Sequence, residues 1–128
     1  MKIRLILAAL LTLAAYTADA ACPKLDKRLQ DKTLRIDYIF TGTATSTEVA
    51  VDELCVIDGW HGRRVNMKEL PVAGNGRITM CDAASGDTLY RSSFSTLFQE
   101  WQATEEATKV TKSFENVFLV PMPKVPVY

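Results

Sequence analysis

The sequence predicts a mainly β domain, a β-sandwich of immunoglobulin-like type with one short helix. Apolar residues recur at every second position in several short runs, which is the period of a half-buried strand. Turn-forming residues separate these runs at short intervals, as in sandwich domains. One stretch, Thr96 to Lys112, has the spacing of an amphipathic helix instead.

The first two strands are predicted over Thr33 to Thr41 and Glu48 to Ile57. The first of them carries apolar side chains at alternating positions, namely Leu34, Ile36, Tyr38 and Phe40. In the second, Asp52-Glu53 interrupts the apolar positions and predicts a β-bulge.

A β-hairpin is predicted farther along the chain. Asn66 to Leu70 is expected to form one turn of helix, and Gly74-Asn75-Gly76 is a strong turn signal because these residue types tolerate positive φ. Arg77 to Asp82 and Thr88 to Ser93 then form the two strands around a short polar loop.

The helix prediction for Thr96 to Lys112 starts from a capping box formed by Thr96 and Gln99. Leu97, Phe98 and Trp101 fall on one face of this helix, and Phe98 and Trp101 are predicted to be core residues. The many threonines of the stretch oppose a long helix, because threonine prefers strands.

The last predicted strand is the apolar run from Phe114 to Val120. Pro121 to Tyr128 contains three prolines and is expected to be an edge or crossover segment, since proline cannot donate to a ladder. The sandwich is therefore expected to lack its last strands within this sequence.

Residues 1–20 are predicted to be a signal peptide. Lys2 and Arg4 precede the apolar run from Leu5 to Ala15, and Ala18-Asp19-Ala20 places small residues where a signal peptidase cleaves. The chain is therefore expected to be exported to the periplasm, the cell surface or the medium. Residues 21–32 are read as a polar leader, and residues 33–128 as the domain.

Acylation of Cys22 is the less favoured alternative, because Asp19 stands where a lipoprotein signal needs an aliphatic residue. The apolar run is also too short to span a bilayer, so no transmembrane segment is predicted.

The charge balance excludes some partners. Removal of residues 1–20 takes away two basic residues and one acidic residue, which leaves 13 basic against 14 acidic and a net charge of −1. Nucleic acid is therefore not expected as a partner, because phosphate binding needs a basic excess.

The cysteines leave two alternatives open. Cys55 and Cys81 form a disulfide in an oxidising compartment, or both remain buried free thiols. A metal site is not predicted, since the sequence has no C-x-x-C spacing and His61 is its one histidine.

No catalytic or cofactor-binding residue is predicted. His61 lies between glycines in a loop, and the carboxylate pairs Asp52-Glu53 and Glu105-Glu106 are read as solvated, because adjacent residues point in different directions. Arg63-Arg64 is either solvated or able to pair with a carboxylate at an interface. Four aromatic residues are read as core rather than as a glycan-stacking platform: Tyr38, Trp60, Tyr90 and Trp101.

Five stretches of the chain together resemble the N-terminal domain of a family of secreted bacterial zinc peptidases known for cleaving immunoglobulin A. They are Leu34-Arg-Ile-Asp-Tyr-Ile-Phe-Thr-Gly42, Gly59-Trp-His-Gly-Arg-Arg64, Gly74-Asn-Gly76, Leu89-Tyr-Arg-Ser-Ser-Phe-Ser-Thr-Leu-Phe-Gln-Glu-Trp101 and Ser113-Phe-Glu-Asn-Val-Phe-Leu-Val-Pro-Met-Pro123.

The resemblance implies a β-sandwich placed ahead of a separate catalytic domain that uses an H-E-x-x-H helix to bind zinc. This sequence contains no such motif, so none of the family's catalytic residues can be assigned to it. The implied role is a non-catalytic accessory domain whose partner is a peptidase catalytic domain or a protein substrate. The alternative is an autonomous secreted module that binds glycan or host protein.

Overall fold

The computed structural model describes residues 22–70 and 72–128, so the predicted signal peptide lies outside the described residues. These residues form two antiparallel sheets, one short α-helix and one 3₁₀ turn. The elements are β1 (Leu29–Gly42), β2 (Thr47–Asp58), β3 (Gly76–Cys81), β4 (Thr88–Phe94), α1 (Leu97–Gln102), the 3₁₀ turn (Glu106–Thr108) and β5 (Lys112–Pro123). The prediction of a mainly β, sandwich-like fold with one short helix is confirmed.

One sheet has the order β2-β1-β5 and the other is the hairpin β3-β4. Strand β1 lies at the centre of the larger sheet and pairs antiparallel with both neighbours. Its alternating apolar residues point toward the second layer. Ile36, for example, packs against the main core, and Tyr38 is 3% exposed. The period of two seen in the sequence thus defines the core face of this sheet.

Strand β1 begins at Leu29, four residues before the predicted start at Thr33. Hydrophobic periodicity does not reveal this part of the strand, because most of its residues are polar. Leu29 itself is 2% exposed and belongs to the core. Part of the segment read as a polar leader is therefore strand, with Leu29 opposite Pro123 of β5.

The predicted bulge in β2 is confirmed. Asp37 lies opposite Glu53 and Tyr38 lies opposite Val51, which leaves Asp52 as the extra residue. This bulge keeps the apolar residues on both of its sides on one face of the strand.

Two apolar clusters form the core. The larger one lies between β1, β5 and the hairpin and contains Leu29, Trp60, Met67, Met80, Leu89, Tyr90 and Val120. The smaller one surrounds α1 and contains Phe98, Trp101 and Ala107, with Phe40 and Phe114 packed against it.

Aromatic contacts join the two layers. Tyr38 stacks on Phe118 with ring centroids 4.0 Å apart, and Phe94 of β4 meets Phe118 edge-on at 4.7 Å. Phe98 of α1 stacks on Phe40 at 5.7 Å. Desolvation by burial raises the pKa of Tyr38 to about 12, so its hydroxyl stays protonated at neutral pH.

Helix α1 is much shorter than the predicted stretch. Thr96 caps it, because the hydroxyl oxygen accepts a hydrogen bond from the Gln99 amide at 3.2 Å. The Thr104 hydroxyl donates to the Trp101 carbonyl at 2.7 Å, near the point where the helix ends. Threonine side chains that bond to the backbone in this way compete with helix extension.

Two further local predictions are corrected. Asn66 to Leu70 is a hydrogen-bonded turn rather than helix, with Asn66 at a φ of 51°. Gly74 and Gly76 do not adopt positive φ. A Cβ atom on Gly74 would lie 2.3 Å from the Phe94 carbonyl oxygen, and one on Gly76 would lie 2.2 Å from the Phe94 ring. These glycines are needed for close approach to β4.

The C-terminal segment begins as an edge strand, which is the first of its two predicted alternatives. Strand β5 continues through Pro121 to Pro123 as an edge strand, which suits proline. Tyr128 then exchanges two backbone hydrogen bonds with Cys81, at 2.9 and 3.0 Å, alongside β3. The end of this segment therefore pairs with the hairpin.

Cys55 and Cys81 are both free thiols in the structure, and both are half-buried rather than buried. Cys55 lies opposite Arg35 and so points away from the core face, whereas Cys81 belongs to the hairpin that covers that face. A disulfide would have to pass through the larger sheet.

We expect Phe98→Ala to lower the free energy of unfolding by about 3–5 kcal/mol, because Phe98 is 1% exposed in the smaller cluster. The adjacent Leu97 is 69% exposed, although the helical spacing placed it on the same face as Phe98, so Leu97→Ala should change stability by less than about 0.5 kcal/mol. Urea unfolding followed by tryptophan fluorescence measures both variants. Equal losses would contradict this assignment of the helix faces.

Candidate interaction surface

The most unusual surface of the domain is an apolar row on the core face of β2. We call its four members the β2 row: Val49, Val51, Leu54 and Val56. Each lies directly opposite a core-face residue of β1, since Val51 faces Tyr38 and Leu54 faces Ile36. Directly opposed residues in an antiparallel pair share one face of the sheet. The β2 row therefore continues the core face of β1.

The β2 row is nevertheless open to solvent. Its members are 54–63% exposed, whereas Tyr38 in the adjacent strand is 3% exposed. Phe94 and Phe98 of the second layer contact Phe40 and Phe118 on β1 and β5. The second layer thus covers two strands of the three-stranded sheet and stops short of β2.

Covering the β2 row would be energetically favourable. Complete burial of a valine or leucine side chain contributes about 1.5–3 kcal/mol. Because each member of the row is already about half buried, covering all four would contribute roughly 3–6 kcal/mol before the entropy cost of association.

The opposite face of the same sheet is different in character. Val117 and Leu119 are about half exposed there, but the ion pair between Arg35 and Asp37, with a 2.8 Å Nε–Oδ1 distance, interrupts the apolar surface. The β2 row is not interrupted in this way, because the Asp52 bulge keeps its four apolar side chains on one face.

The charges of β2 are also distinctive. The strand contains four acidic residues and no lysine or arginine, and Asp58 pairs with Lys32 at 3.3 Å. The other three form no ion pair within residues 22–70 and 72–128: Glu48, Asp52 and Glu53. This edge therefore presents uncompensated negative charge beside an apolar row.

Arg28, outside β2, forms ion pairs that join separate parts of the fold. Arg28 bridges the start of β1 to the hairpin through Asp82, at 3.1 Å, and Asp87, at 3.0 Å, and it also binds Asp26. Hydrogen bonds from Arg28 lower the pKa of Asp26 to about 2. For Asp82, the Ala84 amide and then Arg28 lower the pKa.

The two arginines beside Trp60 hold loop structure. Arg64 pairs with Asp31 and donates to the Trp60 carbonyl. Arg63 donates to the backbone carbonyls of Met67, Glu69 and Arg91 and lies over the Tyr90 ring. The hypothesis of an interface cluster at Arg63-Arg64 is therefore replaced by a role in ordering this loop.

The aromatic residues considered for glycan stacking are core residues. Tyr38, Trp60, Tyr90 and Trp101 are 3–8% exposed, so their rings are not available to a sugar.

The Glu106 carboxylate accepts two hydrogen bonds on one oxygen, from the Trp101 indole at 2.9 Å and from Lys112 at 2.6 Å. These two hydrogen bonds lower the pKa of Glu106, and the bond from Lys112 has the larger effect. The Glu106 carboxylate is therefore held by two donors rather than simply solvated.

The remaining candidates for chemistry stay apart. His61 is exposed in its loop, and Glu53 and Cys55 lie on the outer face of β2. A hydrogen bond with Glu53, then burial, raises the pKa of the Cys55 thiol and disfavours its nucleophilic thiolate form. In the part of the chain that the structure describes, no group of three or more His, Cys, Asp or Glu side chains could hold a metal ion.

The sequence pattern does not identify the β2 row as a site. The valines and Leu54 were assigned to a strand correctly, but alternation identifies a shared face without showing whether a second layer covers it. The lack of basic residues among four acidic ones was the available signal that β2 is an exposed edge.

The fold and this surface define a small two-layer β domain with an exposed apolar and acidic edge strand. Residues 24–128 match the family described as Peptidase M64 N-terminus. The chain therefore belongs to that family, which confirms the resemblance drawn from the sequence. No curated protein matches it. No helix among the described residues is long and apolar enough to cross a membrane.

The Arg28 contacts predict acid sensitivity. Because the folded-state pKa values of Asp26 and Asp82 lie below those of the unfolded chain, the stability that these ion pairs contribute is present above about pH 4. It is lost as the pH falls from about 4 toward 2. Arg28→Met should reduce stability at pH 7 and flatten this part of the pH profile of urea unfolding.

Lys109→Met is the matched control, because the Lys109–Glu105 pair is solvent-exposed on both sides. A pH profile that is unchanged by Arg28→Met would contradict the bridging role of Arg28.

Proposed function

We propose that this chain is the non-catalytic N-terminal accessory domain of a secreted zinc metallopeptidase of the immunoglobulin A-cleaving type. It acts by packing the β2 row against a peptidase catalytic domain. The exposure of four apolar side chains on the core face of β2, in a domain of a peptidase family, carries this proposal.

The physical basis is incomplete coverage of one sheet. A contiguous apolar surface that extends the core face of a folded domain is typical of an interaction site. A catalytic domain seated on the β2 row would continue the second layer across the third strand, and it would remove apolar side chains of β2 from water. Zinc and the catalytic residues belong to that partner in this proposal, since the chain has one histidine and no H-E-x-x-H sequence.

The alternative of an autonomous binding module differs in its partner. Its glycan form has no support from the aromatic residues, because all four rings considered are in the core. Its host-protein form would use the same β2 row, so the identity of the protein that binds there separates the two functions.

A binding measurement tests the proposal. We expect the purified chain to bind a catalytic domain of this peptidase family in isothermal titration calorimetry. The double variant Val51→Lys with Leu54→Lys should weaken this binding at least tenfold, because it places two ammonium groups in the contact. Its own stability should change little, since both side chains are already at least 60% exposed.

The matched control is Val117→Lys with Leu119→Lys, which places the same charges on the outer face of the sheet. The control should bind as the unchanged chain does. Failure of the catalytic domain to bind the unchanged chain, or equal weakening by the two double variants, would contradict the proposed function.

A further inference from the structure

We propose that the free edge of β2 receives an extended segment of its partner as an added strand, and that this segment alternates apolar with basic residues. This inference rests on the proposed function and specifies how the contact forms. It also specifies the chemistry of the segment that pairs with β2, which the four apolar residues of the β2 row do not define by themselves.

The length and position of β2 favour strand addition. β2 has 12 residues, or about 40 Å of extended chain, and among the described residues β1 is its one neighbour in the sheet. Its other edge presents main-chain N–H and C=O groups to solvent along this length. An extended peptide can pair with such groups by β-augmentation.

The arrangement of side chains across the edge of β2 defines the chemistry of a complementary strand. An added strand continues the pleat of the sheet, so its side chains alternate between the two faces. On the core face they would meet the β2 row. On the outer face they would meet Glu48 and Glu53, which lie opposite Thr41 and Asp37 of β1. The complementary strand therefore carries apolar residues on one face and basic residues on the other.

The charges of β2 also argue against a second copy of this chain as the occupant. Antiparallel pairing of two β2 edges would bring acidic strands together, and β2 contributes no lysine or arginine to offset them. Like charges on neighbouring strands destabilise the pairing. The occupant that the edge favours is a basic segment of a different polypeptide.

A protective role for the acidic residues fits the geometry less well. Proteins guard sheet edges with short strands, prolines, β-bulges, lysines or charged residues that point inward. β2 has a bulge at Asp52, but it is 12 residues long and has no proline or lysine. Its inward positions Val49, Val51, Leu54 and Val56 are all apolar, and Glu48 and Glu53 point outward. The inward face, where a guarding charge would stand, is thus the face that favours docking.

Synthetic peptides provide the test. A fluorescent ten-residue peptide of alternating valine and lysine should bind the purified chain, as measured by fluorescence anisotropy at low and at physiological salt. The same peptide with N-methyl groups on all of its backbone nitrogens keeps the side chains but cannot donate to the ladder from either edge, so it should bind at least tenfold more weakly. A valine–glutamate peptide should not bind.

Variants of the chain locate the binding. Glu48→Gln with Glu53→Gln should weaken the valine–lysine peptide about tenfold and reduce the salt dependence. Glu69→Gln with Glu105→Gln removes the same charge outside the larger sheet and should bind normally. Equal binding of the N-methylated and unmodified peptides, or equal weakening by the two double variants, would overturn strand addition.

The outcome is separable from that of the proposed function. A catalytic domain that needs Val51 and Leu54, together with peptides that show no backbone dependence, would overturn strand addition alone. Peptide binding at β2 without any binding of the catalytic domain would instead contradict the proposed function and support the edge as a strand acceptor.

Discussion

Aromatic contacts between the larger sheet and the second layer fix how the two layers of this domain sit on one another. Tyr38 stacks on Phe118 within the larger sheet, and Phe94 from the hairpin closes against Phe118 at 4.7 Å. Phe40 extends the contact to Phe98 of α1. Because these rings are large and rigid, their contacts hold the hairpin and the helix above β1 and β5.

The same aromatic contacts determine which surface is left open. The second layer is one hairpin and one helix of six residues, and its aromatic residues are engaged over two strands. Strand β2 pairs with β1 through its backbone but gains no such cover for its apolar side chains. A stable core and an exposed β2 row are therefore two results of one packing arrangement.

Local patterns predicted most of the fold correctly. Alternation identified β1, β2 and the hairpin, the acidic interruption identified the Asp52 bulge, and Thr96 with Gln99 marked the start of the helix. These features depend on a few neighbouring residues, so periodicity and capping rules suffice. The buried Leu29 in a polar segment and the early end of α1 were missed, because long-range pairing and threonine–backbone bonds decide them.

Such local rules do not predict the interaction surface. The apolar residues of β1 and β2 look alike in the sequence, and the three-dimensional arrangement of the second layer alone makes Tyr38 buried and Val51 exposed. The candidates that the sequence did offer, Arg63-Arg64 and the aromatic residues, are used by the fold for loop order and core packing.

Amide hydrogen exchange is the most direct measure of whether β2 is an open strand that a partner covers. In the chain alone, β1 amides should exchange slowly, because β1 is paired on both sides, and the alternate β2 amides that point away from β1 should exchange much faster. Addition of the peptidase catalytic domain should slow exchange selectively at these outward β2 amides within Thr47–Asp58. Strong protection of the outward β2 amides in the chain alone, or partner-induced protection confined to other strands, would contradict the account.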